Sequence, residues 1–119
     1  MQNRLIYTNK ESEISVEKSC IAVLQGTFNE GGQNTPEFKE YSQRSNANGK
    51  ANGGKLLGKY VISENLGQRE MPHVVFIVEF PSYDVAKSAF TNDEYRSIIP
   101  LRDIAFKEVK ILLSGKQET

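Results

Sequence analysis

The stretch His73-Val74-Val75-Phe76-Ile77-Val78-Glu79-Phe80-Pro81-Ser82 reads as one β-strand running into a helix cap. Successive side chains of a strand point to opposite faces, so Val74, Phe76, Val78 and Phe80 go one way and His73, Val75, Ile77 and Glu79 the other. Both faces carry apolar residues, which predicts a sheet covered on two sides. Pro81-Ser82 stops the strand, and Ser82 caps a helix whose Val85, Ala86, Ala89 and Phe90 recur at i, i+1, i+4 and i+5.

Working back from this strand, about Leu56 to Ser63 forms a second one. The segment around Leu66-Gly67 turns the chain, so the two read as a hairpin. Gly53-Gly54 ends a helix that begins at Thr35-Pro36-Glu37, a sequence offering an N-cap, a proline at the first helical position and an acid suited to the helix dipole. Phe38 and Tyr41 give that helix a packing face. Asn46, Asn48 and Gly49 are poor helix formers, so its later turns must rely on tertiary contacts. Upstream, in the strand Cys20 to Gly26, Ile21, Val23 and Gln25 alternate with Ala22, Leu24 and Gly26. A glycine-rich loop through Gly31-Gly32 joins it to the helix.

Working forward, Thr91-Asn92-Asp93 supplies a further cap. The helical stretch from Glu94 is expected to be interrupted near Pro100 before continuing through Ile104 and Ala105. Val109 to Leu113 make the last strand, ended by Ser114-Gly115. The order strand, helix, strand, strand, helix, strand predicts an α+β fold of the ferredoxin-like βαββαβ kind. Its four-stranded antiparallel sheet would carry its helices on one face. Residues 1–19 read as an N-terminal arm, 20–115 as the domain and 116–119 as a polar tail.

Helices can cover only one face of such a sheet, yet Val75, Ile77 and Val61 or Ile62 are expected to point away from them. A patch of that kind exceeds what monomers ordinarily expose, which predicts a homodimer through the sheet face.

The composition narrows the partners. Fifteen basic residues balance fifteen acidic ones, so no net field draws in nucleic acid or an anionic membrane. The RNA-recognition motif shares the topology but needs stacking aromatics where Val75 and Ile77 stand, so no nucleic-acid partner is expected. The longest apolar run, Val74 to Val78, is too short to span a bilayer. A single Cys20 and the absence of a secretory pattern at the N-terminus point to the cytoplasm. Neither Gly31-Gly32 nor Gly53-Gly54 lies in a phosphate-loop context, and His73 has no companion at metal-ligand spacing. No cofactor and no metal are therefore expected.

The runs Asn52-Gly53-Gly54-Lys55-Leu56-Leu57, Phe76-Ile77-Val78-Glu79-Phe80-Pro81-Ser82, Asp93-Glu94-Tyr95 and Pro100-Leu101-Arg102 resemble domain-of-unknown-function family 1330. That family lies in the dimeric α+β barrel superfamily, and the resemblance spans roughly Ile21 to Gly115. It implies a ferredoxin-like dimer whose two sheets pack into a shared barrel. Superfamily relatives include cofactor-free monooxygenases acting on aromatic substrates, haem-degrading enzymes and small isomerases. The chain departs from the family pattern in the arm at 1–19, the Glu30-Gly31-Gly32-Gln33 loop and the turn from Asn65 to Met71. It also has Glu64 followed by Asn65 where members often carry a Glu-Gly pair.

Three residues are candidates for catalysis. Glu79 would place a carboxyl on the Val75 and Ile77 face, where desolvation raises its pKa for acid or base work; its plainer role is a solvated or paired rim residue. Tyr95 and Arg102 lie seven residues apart, two helical turns, and would present a phenol and a guanidinium to one ligand. Their plainer roles are to cap the core and to bind carbonyls or an acid. Tyr41, Tyr60 and His73 are candidate ligand-binding residues. Cys20 reads as a small buried hydrophobe. Two functions follow: binding of a small organic molecule in a cleft between helices and sheet, with cofactor-free monooxygenase- or isomerase-like catalysis, or a non-catalytic binding or regulatory module. The sequence leaves open whether the protein is an enzyme.

Overall fold

The computed structural model describes residues 19–115. The expected tail at 116–119 and, apart from Ser19, the expected arm at 1–19 lie outside the described residues.

Each of three helices starts on a side-chain cap. Thr35 Oγ1 accepts the Phe38 N–H at 3.0 Å and opens α1, Pro36–Ala51. Ser82 Oγ accepts from Val85 N–H at 3.2 Å and opens α2, Tyr83–Ala89. Asn92 Oδ1 accepts from Tyr95 N–H at 2.8 Å and opens α3, Asp93–Ala105. Such caps satisfy N–H groups that a helix start would otherwise leave orphaned. The expected interruption near Pro100 does not occur. The proline removes one N–H inside α3, but Tyr95, Ile98 and Ala105 are buried against Tyr41 and Phe106, and that packing holds the helix continuous.

The strands are β1, Cys20–Phe28, β2, Lys55–Val61, β3, Val74–Phe80, and β4, Phe106–Leu113. They form one antiparallel sheet in the order β2-β3-β1-β4. This is the ferredoxin-like βαββαβ arrangement. β4 begins three residues earlier than the expected Val109, because buried Phe106 pairs with Phe28 at the extended end of β1.

Cys20, Ala22 and Phe80 on the sheet pack beneath Ala86 and Ala89 of α2, and Cys20 is the small buried residue its position predicts. The opposite face carries no helix. There Val23 pairs with Ile77 and Leu112, Val75 with Tyr60, and Glu79 with Ile21 and Lys55. Of the two residues expected here, Val61 or Ile62, Val61 does not lie on this face. β2 shifts register between Leu56 and Gly58, a bulge that inverts the alternation beyond it. Val61 therefore pairs with Val74 on the helix side, and Tyr60 takes its place beside Val75.

Candidate functional site

α1 packs mainly on α3 and only weakly on the sheet, for reasons visible in its side chains. The Tyr41 and Tyr95 hydroxyls meet at 2.8 Å. Arg44 donates to Glu94 at 3.2 Å and to Ser97 Oγ at 2.7 Å. Buried Asn48 donates to the Ala89 carbonyl at 2.8 Å and accepts from Asn92 Nδ2 at 3.0 Å. This helix pairing draws α1 away from β2, which packs mainly on β3. A cleft of about 870 Å³ opens between α1 and the sheet. Small-ligand sites typically measure about 300–1,000 Å³.

Leu24, Val74, Phe76 and Val78 form the floor of the cleft. Phe28, Phe38 and Phe106 close one end, with ring centroids 4.7 to 5.7 Å apart. Gly26 belongs to this floor because a Cβ there would stand 2.6 Å from the Phe106 ring. On the β2 side, Leu56 and Val61 face the same way and are 55% and 77% exposed, so the apolar floor runs out from under the helix.

Tyr41, Tyr95 and Arg102 come together. Arg102 Nη1 donates to the Tyr95 hydroxyl at 3.4 Å and its guanidinium lies 5.9 Å from the Tyr95 ring centroid. Two turns of α3 carry Arg102 back over Tyr95, as the spacing predicts. Burial, then the neighbouring Tyr95, push the Tyr41 phenol far above the ordinary tyrosine range, so Tyr41 keeps its proton. Burial works against the Arg102 charge, but hydrogen bonds to Tyr95 and Asp103 outweigh it and raise its pKa. Tyr41 and Tyr95 line the cleft, while Arg102 stands behind them.

The other three candidates lie elsewhere. Glu79 is on the helix-free face, between Ile21 and Lys55, with the sheet separating it from the cleft. Alternation placed it correctly beside Val75 and Ile77, but the cleft opens on the other side. Tyr60 shares that face, half-exposed, its ring lying over Gly58, where a Cβ would collide with it. His73 is exposed beside the start of β3; its Nδ1 accepts the Phe28 N–H at 3.0 Å and its ring stacks on Phe28 at 5.8 Å. This is a strand-end role, reaching the cleft only through Phe28. Sequence reasoning missed Asn48, Phe106 and Gly26 as parts of the site. Of these, only Asn48 left a signal, as a helix-averse residue in a helix with no solvent reason to be there.

Residues 31–116 match the family model described as Domain of unknown function (DUF1330). The chain belongs to that family. No curated protein matches it in sequence. Among solved structures, this DUF1330 chain is similar to a protein of unknown function from Rhodopseudomonas palustris, with 17% identity over 96% of this chain and 98% of that one, at a TM-score of 0.69. It is also similar to SnoaB, a cofactor-independent oxygenase from Streptomyces nogalater, with 14% identity, coverage of 85% and 95%, and a TM-score of 0.57. A DABB family protein with a ferredoxin-like fold from Mesorhizobium loti matches at 10% identity, coverage of 84% and 98%, and a TM-score of 0.57. At such identities the likeness establishes the ferredoxin-like fold and nothing of the chemistry. No helix among the described residues is long and apolar enough to cross a membrane.

Proposed function

We propose that this DUF1330 protein is a cytoplasmic homodimer, paired through its helix-free sheet face, in which each protomer binds a small and largely apolar organic molecule beneath α1. The cleft of about 870 Å³ with its aromatic and aliphatic floor carries the binding reading. Val23, Val75, Ile77 and the half-exposed Tyr60 and Leu112 on the open face support the pairing. The lone, buried Cys20 suits a reducing compartment.

Between the two functional classes, the lining of the cleft favours binding without catalysis. A positioned side-chain base is the ordinary device for drawing a proton from a substrate. No Asp, Glu or His among the described residues lines the cleft, and Tyr41 holds its proton too tightly to act as one. The enzymatic reading needs Tyr95, Arg102 and Glu79 to act on one ligand, whereas Arg102 stands behind the cleft lining and Glu79 lies across the sheet from it. Leu24→Trp, which fills the floor of the cleft, tests the binding reading. Small apolar molecules should raise the melting temperature of the wild type and leave a folded L24W protein unmoved; equal stabilisation of both would sink it.

A further inference from the structure

Among the described residues, the charged side chains that line the cleft are of one sign. Lys39, Lys50 and Lys59 stand on its lining, and no acidic side chain among the described residues does. None of the three lysines enters an ion pair among the described residues. The distribution follows from how α1 is built. At about 100° per residue, Lys39, Gln43, Asn46 and Lys50 fall on one stripe of the helix, while Glu40 and Arg44 fall on the side turned to α3. There Arg44 holds Glu40 at 3.1 Å and Glu94 at 3.2 Å. Lys59 comes from the opposite wall. The β2 bulge puts it on the helix side of the sheet across from Phe76, with Nζ 5.8 Å from that ring centroid.

The cleft thus combines an apolar floor with lysines on both rims that enter no ion pair among the described residues. We infer that its ligand is an amphipathic carboxylate, an apolar chain or ring laid on Leu24, Phe76 and Val78 with its anionic head between the lysines of α1 and Lys59. This rests on the binding reading above and names the class of molecule bound. A neutral ligand would use the floor alone and leave the lysines without a role. A cation would meet three like charges and, among the described residues lining the cleft, no counter-charge.

Three probes of equal chain length separate the cases: dodecanoate, dodecanol and dodecyltrimethylammonium, each titrated by calorimetry below its aggregation limit against wild type, K39Q/K50Q/K59Q and L24W. Exposed charge contacts are each worth a few tenths to about 1 kcal/mol. Dodecanoate should therefore bind about tenfold tighter than dodecanol, and the triple variant should erase that gap. Salt at about 1 M, where screening acts within about 3 Å, should narrow it too. The lysines are exposed, so the triple variant should keep its fold. Dodecanol binding wild type as tightly as dodecanoate, or the ammonium binding tightest, would overturn the carboxylate inference and leave the cleft standing as a binding site. Dodecanoate binding L24W undiminished would place the ligand elsewhere and overturn the inference. No binding by any of the probes would overturn it together with the reading on which it rests.

Discussion

The Tyr41 hydroxyl lies 2.8 Å from that of Tyr95, across 54 residues of chain, and the Arg102 guanidinium donates to the same Tyr95 oxygen. The contact ties α1 to α3 and makes Tyr95 a shared partner. Removing either hydroxyl is therefore not equivalent. Tyr41→Phe takes away one buried hydrogen bond and should cost about 1 kcal/mol. Tyr95→Phe takes the partner of the Tyr41 hydroxyl and also the Arg102 Nη1 bond, while Arg102 keeps Asp103, and should cost about 2 kcal/mol. Urea unfolding of the two variants and of the double variant would check the order; a larger loss for Y41F would contradict it.

The same pair makes a prediction about alkaline pH. The folded-state pKa of Tyr41 is raised, so between the ordinary tyrosine pKa of about 10 and the raised value the unfolded chain gives up a proton that the folded chain keeps. The stabilising contribution is complete below about pH 10 and is lost as pH rises beyond it. The stability difference between wild type and Y41F should shrink in that range, and a difference that stays flat to high pH would count against a buried Tyr41.

Asn48 should matter more than its residue type suggests. It donates to the Ala89 carbonyl and accepts from Asn92, the cap of α3. Asn48→Ala improves helix propensity by about 0.7 kcal/mol at most, but takes away the bonds to the Ala89 carbonyl and to Asn92 Nδ2 at about 1–3 kcal/mol. The loss wins, and denaturant titration should show net destabilisation.

Gly32→Ala should be among the most damaging changes outside the core. A Cβ at Gly32 would run into the carbonyl oxygen of Ala105, which also accepts the Asn29 N–H at 3.0 Å. Backbone at both partners cannot step aside as a side chain can, so about 3 kcal/mol of stability should go. A melting temperature equal to wild type would refute the close approach.

Ile77→Lys should yield monomers. Ile77 sits at the middle of the helix-free face, paired with Val23 and Gly58, and in the proposed dimer a charge there would be buried unpaired between two sheets. Sedimentation velocity at matched concentration should show a dimer for wild type and half that mass for I77K, with unchanged far-ultraviolet circular dichroism.

Much of this architecture is legible in the chain. Thr35, Ser82 and Asn92 cap the three helices where their sequence contexts predict, since caps depend on residues within one turn. The spacing of Tyr95 and Arg102 foretells their meeting, because one helix carries both. What lies across the sheet is not legible. Alternation puts Glu79 with Val75 and Ile77, yet says nothing of which face α1 stands off from, and that distance is set by Arg44, Asn48 and Tyr41 reaching to another helix. The bulge at β2 is equally silent in Leu56-Leu57-Gly58, and it alone decides that Val61 and Lys59 join the cleft while Tyr60 leaves it.

That bulge also governs how copies of the chain can meet. β2 is an outer strand with Leu56 and Leu57 exposed, the profile of a strand inviting another to add on. Its irregular register breaks the template, and Lys55 and Lys59 flank the break with charge. β4, the other outer strand, presents Lys107, Glu108 and Lys110. With both edges blunted, lateral growth into a continuous multi-chain sheet is suppressed, which leaves the helix-free face as the surface for the pairing proposed above.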